Sequence, residues 1–77
     1  MLFQMKMVIG IGGMHCDHCK KRVEEGIQSL DFVKSVKVDL KKGQASIVLK
    51  KDMEFKEEMV QKAIEDLGFS YEGVLLS

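Results

Sequence analysis

Two cysteines are the side chains of this sequence best suited to chemistry, and they lie together in the tetrapeptide Cys16-Asp17-His18-Cys19. Side chains three residues apart on a helix share a face, so both sulfur atoms can point towards one ligand. A helix N-terminus adds unpaired N–H groups and a partial positive charge, which favour the thiolate over the thiol. Because the thiolate both binds soft metal ions and attacks electrophiles, this segment predicts a metal site or a redox dithiol.

Three uses of the cysteine pair are open on the residues alone. A structural zinc site needs four ligands, and all the Cys and His side chains of this chain lie within residues 15–19, where one short loop cannot easily surround an ion. A thiol–disulfide enzyme is a second use, although thioredoxin-like folds place a cis-proline against the dithiol and this chain has no proline. The third use is a soft ion such as Cu(I), which accepts two thiolates and leaves room for a ligand from another protein. The residues favour this third use.

The residues around the pair each have a structural and a functional interpretation. His15 is either an exposed side chain or an auxiliary metal ligand, and imidazole suits zinc as well as copper. Met14 is either a thioether ligand or a flexible core plug under the loop, and the plug is the favoured interpretation. His18 is expected to point away from the sulfur atoms, and Asp17 is expected to cap the helix.

The apolar pattern along the chain predicts the elements that present this loop. Alternation with a period of two predicts four strands, over residues 5–11, 33–40, 45–49 and 69–75. Steps of three and four predict one helix from Asp17 to Leu30 and a second with an apolar stripe from Phe55 to Leu67, capped by Asp52 at its start and Gly68 at its end. This order predicts an α+β fold, a four-stranded antiparallel sheet with both helices on one face, in a single domain over residues 1–77.

Composition excludes several classes of function. Twelve basic and twelve acidic residues cancel, so the chain has no general field for nucleic acid or an anionic membrane. No apolar run reaches the roughly 18 residues of a membrane span, which predicts no direct membrane insertion. The first residues lack the basic start and the apolar core that a secretory signal peptide has. We therefore expect a cytoplasmic location, where two cysteines are more often metal ligands or redox thiols than a structural bridge.

The segment Gly13-Met14-His15-Cys16-Asp17-His18-Cys19 resembles the GMxCxxC motif of the heavy-metal-associated domain family, found in copper chaperones and in N-terminal domains of P-type metal ATPases. The similarity extends over the whole chain, through the order of its elements and the sequence Leu67-Gly68-Phe69 before the last strand. The resemblance implies the ferredoxin-like βαββαβ fold and assigns Cys16 and Cys19 as Cu(I) ligands.

The same resemblance implies a function in carrying metal rather than in enzymatic catalysis. The expected task is transfer of Cu(I) to a P-type metal-transporting ATPase or its metal-binding domain, and a metal-bridged homodimer is a further expectation. Zinc, cadmium and mercury stay open as cargo, as does an origin as one domain of such an ATPase. In place of His15 the family often has threonine or serine, and relatives that carry zinc or cadmium tend to have an acidic residue there.

Two further features of the sequence each have two interpretations. Phe69 stands where bacterial copper chaperones resemble one another in having a tyrosine, and it is either an apolar lid on the metal loop or part of the core. The basic run Lys20, Lys21 and Arg22 opposes the helix dipole. It is either solvated surface, paired with Glu24 and Glu25, or a docking surface for an acidic partner.

Overall fold

The computed structural model describes residues 5–76, which form four strands and two helices in the predicted order. The elements are β1 (Lys6–Gly12), α1 (Asp17–Gln28), β2 (Val33–Asp39), β3 (Gln44–Leu49), α2 (Glu57–Asp66) and β4 (Ser70–Leu76). The strands form one antiparallel sheet in the order β2-β3-β1-β4. The predicted α+β, ferredoxin-like architecture is confirmed, and the ends of the predicted domain, residues 1–4 and 77, lie outside the described residues.

The core lies between the sheet and the two helices, as the alternating and helical patterns predict. Each helix buries two residues one turn apart, Val23 with Ile27 and Val60 with Ile64. The other buried apolar side chains are Ile9, Ile11, Met14, Phe32, Val33, Val38, Ala45, Ile47 and Leu49. Burial of one such large apolar side chain contributes about 1.5–3 kcal/mol. Neither Cys16 nor Cys19 belongs to this buried set, although Cys19 packs against it.

The second helix begins later than predicted. Asp52 was expected to be its N-cap, but the helix starts at Glu57 with Lys56 at the N-cap, and Asp52 occupies a left-handed turn with φ of 64°. The reason is the packing of Phe55, whose ring meets the buried ring of Phe32 edge-on at a centroid distance of 6.1 Å. Residues 53–56 are neither helix nor strand, and the backbone of Lys56 is extended, with φ of −108° and ψ of 92°. The left-handed cap after the helix is confirmed, with Gly68 at φ of 92°.

The first strand also departs from its prediction at one end. Met5 was expected on the buried face, but β1 begins at Lys6 and the Met5 side chain is 62% exposed. The backbone carbonyl of Met5 still accepts a hydrogen bond of 2.8 Å from the N–H of Leu49 in β3. Within residues 5–76 no helix is long and apolar enough to cross a membrane.

Two side chains of α1 form hydrogen bonds with the backbone of the edge strand β2. The Glu24 carboxylate accepts a hydrogen bond of 2.9 Å from the Val38 backbone N–H, and the Gln28 amide donates one of 3.0 Å to the Lys34 carbonyl. Both bonds go to β2, which is an edge strand. They satisfy backbone groups that no neighbouring strand can reach, and they fix the helix that carries Cys19 against the sheet.

Candidate metal centre

The loop between β1 and α1 is held at both ends by the fold. Gly13 turns the chain out of β1 with φ of 95°, a conformation that favours glycine. Met14 then points back into the core and is only 8% exposed, which agrees with its predicted role as a plug under the loop. The following residues, His15 to His18, are exposed. The loop is therefore anchored on its inner side and open to solvent where the cysteines lie.

The two sulfur atoms lie next to each other at the start of α1. Cys16 Sγ and Cys19 Sγ are 3.1 Å apart, well beyond the disulfide bond length of about 2.05 Å, so both thiols are free. Cys16 is the N-cap, and its Sγ accepts a hydrogen bond of 3.4 Å from the Cys19 backbone N–H. The prediction that Asp17 caps the helix is therefore wrong, because Asp17 is the first helical residue. Its carboxylate lies in the first turn of α1, where the positive end of the helix dipole stabilises its negative charge.

The environment of Cys19 favours its thiolate form. The pKa of Cys19 is lowered chiefly by the hydrogen bond from the Cys16 thiol, and next by the backbone N–H of His15. The backbone N–H of Cys16 and the charge of Arg22 lower this pKa further, while desolvation opposes them. Donors that point at the sulfur stabilise its negative charge, as expected at a helix N-terminus. Cys19 is half-buried and Cys16 is exposed, so the sulfur with the lowered pKa is the less accessible of the two.

A bound ion requires the two sulfur atoms to separate. Metal–sulfur bonds are about 2.3 Å long for zinc, so a linear two-thiolate site of similar bond length needs sulfurs about 4.6 Å apart. The observed separation is 3.1 Å. Because Cys16 is exposed and lies in the loop, rotation of its side chain can open this distance without moving α1.

The structure brings together the two predicted ligands and adds no third to them. Within residues 5–76 no group of three or more His, Cys, Asp or Glu side chains is arranged to hold a metal ion. His15 and His18 are both exposed. A four-ligand zinc site is therefore not preformed in the described part of the chain, and the auxiliary role of His15 stays a prediction.

Comparison with known proteins agrees with this geometry. Residues 8–70 match the model of the heavy-metal-associated domain. The chain belongs to this family. The copper chaperone CopZ of Staphylococcus haemolyticus (strain JCSC1435) is 40% identical over 62 residues, which cover 80% of this chain and 90% of that protein. The resemblance drawn from the GMxCxxC motif is thereby confirmed.

Two solved structures of the heavy-metal-associated domain family match most of the chain. A CopZ metallochaperone superposes with a TM-score of 0.79 at 33% identity, covering 87% of this chain and 98% of the other. A copper-binding domain from HMA7, a P-type ATPase, superposes with a TM-score of 0.79 at 29% identity, covering 95% of each chain. The fold is therefore similar both to a free chaperone and to a domain of a transporter.

Phe69 lies beside the metal loop, on the side of Gly13. A Cβ atom built on Gly13 would be 3.5 Å from Cδ1 of the Phe69 ring, and the ring also packs against the core. Phe69 is half-buried, so it serves the core and borders the loop at once. The interpretation of Phe69 as part of the core is confirmed, and its role as a lid on the metal loop stays a prediction.

Gly13→Ala is expected to lower the free energy of unfolding of the metal-free protein by about 1–2 kcal/mol. The added methyl group would meet Phe69 at an ordinary contact distance of 3.5 Å, so the cost comes from the positive φ of 95° alone. Urea denaturation followed by circular dichroism measures this loss. Gly13→Asn is the matched control and should lose less, because asparagine enters the left-handed region more readily. An unchanged unfolding free energy for Gly13→Ala would contradict the argument.

His15→Ala is expected to weaken zinc binding more than Cu(I) binding. Two thiolates satisfy Cu(I), whereas Zn(II) prefers a fuller shell of nitrogen and sulfur ligands, to which the exposed imidazole can add. Competition with chelators of known affinity measures both constants. His18→Ala, the control within the same loop, should change neither. Loss of Cu(I) binding in His15→Ala would instead make the histidine a primary ligand.

Proposed function

We propose that this protein binds Cu(I) through Cys16 and Cys19 and passes it to the thiolates of a second protein. The observation that carries the proposal is the pair of free sulfur atoms 3.1 Å apart at an exposed helix N-terminus. Two thiolates are a sufficient shell for Cu(I) but an incomplete one for most other metals. The similarity to CopZ copper chaperones supports copper as the cargo.

The geometry supports transfer by exchange of one thiolate at a time. The exposed Cys16 leaves one side of a bound ion open to an incoming thiolate of the partner. A new bond from that sulfur to Cu(I) forms before a bond to this protein breaks, so the ion is never released to water. Each thiol loses a proton when it binds the metal and regains one when the metal leaves. Copper stays in the Cu(I) state throughout, and no oxidant or reductant takes part.

The proposed partner is a P-type metal-transporting ATPase, or its metal-binding domain with its own pair of cysteines. The structural similarity to a copper-binding domain of such an ATPase supports this choice, because two domains of one fold can present matching loops to each other. The basic run at Lys20, Lys21 and Arg22 lies beside the site and would meet an acidic surface. We place the exchange in the cytoplasm and assign the protein a carrier function rather than a catalytic one.

A second candidate function is that of one metal-binding domain within an ATPase. The observation that favours it is the same similarity to a transporter domain, which covers 95% of both chains. In that case the domain would receive Cu(I) and hand it on within one polypeptide. The length of the natural chain distinguishes the two functions, since a transporter continues into membrane-spanning helices.

Anaerobic titration of the reduced protein with Cu(I) and Zn(II), in competition with chelators of known affinity, tests the proposal. The expected result is one tightly bound Cu(I) per chain at low loading and much weaker binding of Zn(II). At higher loading, a thiolate-bridged dimer is expected, because two ligands leave Cu(I) open to further sulfur. Copper would not be the cargo if Cu(I) binds weakly and Zn(II) binds more tightly than two thiolate ligands can explain.

A further inference from the structure

The backbone of the edge strand β2 is held by two side chains that lie one turn apart on α1. Glu24 and Gln28 are separated by four residues, so they project from the same face of the helix. The Glu24 carboxylate accepts the bond from the N–H of Val38. The Gln28 amide donates the bond to the carbonyl of Lys34. We refer to Glu24 and Gln28 together as the edge clamp.

The backbone groups held by the edge clamp are those that another strand would use. An edge strand presents unpaired N–H and C=O groups, to which a further strand can add. β2 pairs with β3 on one side only, and this register skips Lys34. Because backbone groups two residues apart point to the same side of a strand, the N–H of Val36 points to the open edge as that of Val38 does. The edge clamp therefore occupies two positions in one row of groups available for pairing.

The strand that fits this row is β2 of a second copy of the chain. An antiparallel pair of β2 strands about a two-fold axis at Val36 places Val38 of one copy opposite Lys34 of the other. In that register the N–H of Val38 meets the carbonyl of Lys34, and these are the two groups that the edge clamp holds. Lys37 would lie opposite Ser35, so no like charges would face each other across the pair.

The side chains of the edge clamp can leave β2 without a movement of α1. The helix is fixed to the core by Val23 and Ile27, which are fully buried on its inner face. A groove with a volume of about 430 Å³ runs between α1 and the edge of β2, and Val36 and both clamp residues line it. Removal of the two clamp side chains would therefore widen this groove and expose the edge.

We propose that the edge clamp keeps the β2 edge from pairing with a second copy of this chain. The inference goes beyond the proposed function, because pairing of two β2 strands needs no metal. A thiolate-bridged dimer forms at the metal loop and dissociates when Cu(I) leaves. Pairing through β2 would instead join two copies whether or not they carry metal.

Sedimentation velocity of the reduced, metal-free protein in the presence of a chelator tests the inference, since these conditions exclude a thiolate-bridged dimer. The Glu24→Ala, Gln28→Ala double variant is expected to dimerise with an association constant at least about tenfold above that of the parent, because the pair of strands forms two hydrogen bonds that the clamp otherwise prevents. A double variant that is folded by circular dichroism and as monomeric as the parent would overturn the inference.

The matched control is the Gln61→Ala, Glu65→Ala double variant. It removes the same two residue types at the same spacing, from α2, and changes the net charge by the same amount. The amide of Gln61 donates a hydrogen bond of 3.1 Å to the carboxylate of Glu65, so this pair binds within its own helix. The control should associate no more than the parent does. An equal gain in both double variants would contradict a specific effect of the clamp.

Amide hydrogen exchange locates the contact between the copies. In the dimer of the clamp variant, the N–H groups of Val36 and Val38 should exchange more slowly as the protein concentration rises. Slower exchange confined to β4 would place the contact at the other edge strand and overturn the inference. If the double variant does not fold, Glu24→Ala and Gln28→Ala are measured singly, since each frees one of the two held groups. Monomeric behaviour of both folded single variants would then count against the clamp.

Discussion

Replacing either Cys16 or Cys19 with serine is expected to weaken Cu(I) binding by more than about 100-fold. Changes in residues that only orient metal ligands already cost about 10–100-fold in metal affinity. Here one of two ligands is lost, and the hydroxyl that replaces it is a hard oxygen donor that Cu(I) binds poorly. The two substitutions should have effects of similar size, because each removes one of the only two cysteines of the chain.

The structure indicates that a serine substitution in this pair changes the ligand atom and leaves the fold intact. Cys16 is the N-cap of α1, and serine is among the best N-cap residues, so Cys16→Ser should preserve the start of the helix. Any loss of affinity then reports on the sulfur and not on folding. Chelator competition under anaerobic conditions measures it, and His18→Ser serves as the control in the same loop. If Cys16→Ser and Cys19→Ser bind Cu(I) as tightly as the parent, the ligand assignment is wrong.

The fold was predictable because its elements are marked by clear apolar periods. The alternating residues of β3 are buried, as are Ile9 with Ile11 in β1 and Val60 with Ile64 in α2. Met5 and Met59, which follow the same periods, are exposed. The start of α2 was not predictable in the same way. Asp52 is a good local signal for a helix cap, but a tertiary contact between Phe55 and Phe32 overrides it. Local propensity cannot reveal a ring that packs across the molecule.

The closeness of the two cysteines could be predicted from the sequence, but the electrostatics around them could not. The spacing of Cys16 and Cys19 and the motif around them identify the pair. The residue type of His15 draws attention to its imidazole, whereas in the structure it is the backbone N–H of His15 that lowers the pKa of Cys19. No sequence signal reports the direction of a backbone donor in a loop.

Removing a core side chain should destabilise the protein far more than removing both cysteines of the proposed metal site. Phe32→Ala is expected to lower the free energy of unfolding by about 3–5 kcal/mol. Phe32 is fully buried, its ring packs edge-on against Phe55, and the Lys56 ammonium lies 5.9 Å from the ring centroid. Small domains have total stabilities of about 5–15 kcal/mol, so this single loss removes a large share.

The Cys16→Ser, Cys19→Ser double variant is expected to lose about 1 kcal/mol or less. Cys16 is exposed and Cys19 only half-buried, and neither is among the buried residues of the core. The metal-free variant should therefore keep a cooperative denaturant transition by circular dichroism, close to that of the metal-free parent. A structural metal site behaves in the opposite way, because its binding energy is its folding energy and chelators unfold it. An unfolded double variant beside a folded, loaded parent would make the metal structural. A carrier must instead stay folded when it gives its metal away, and a core built without the ligands is what allows that.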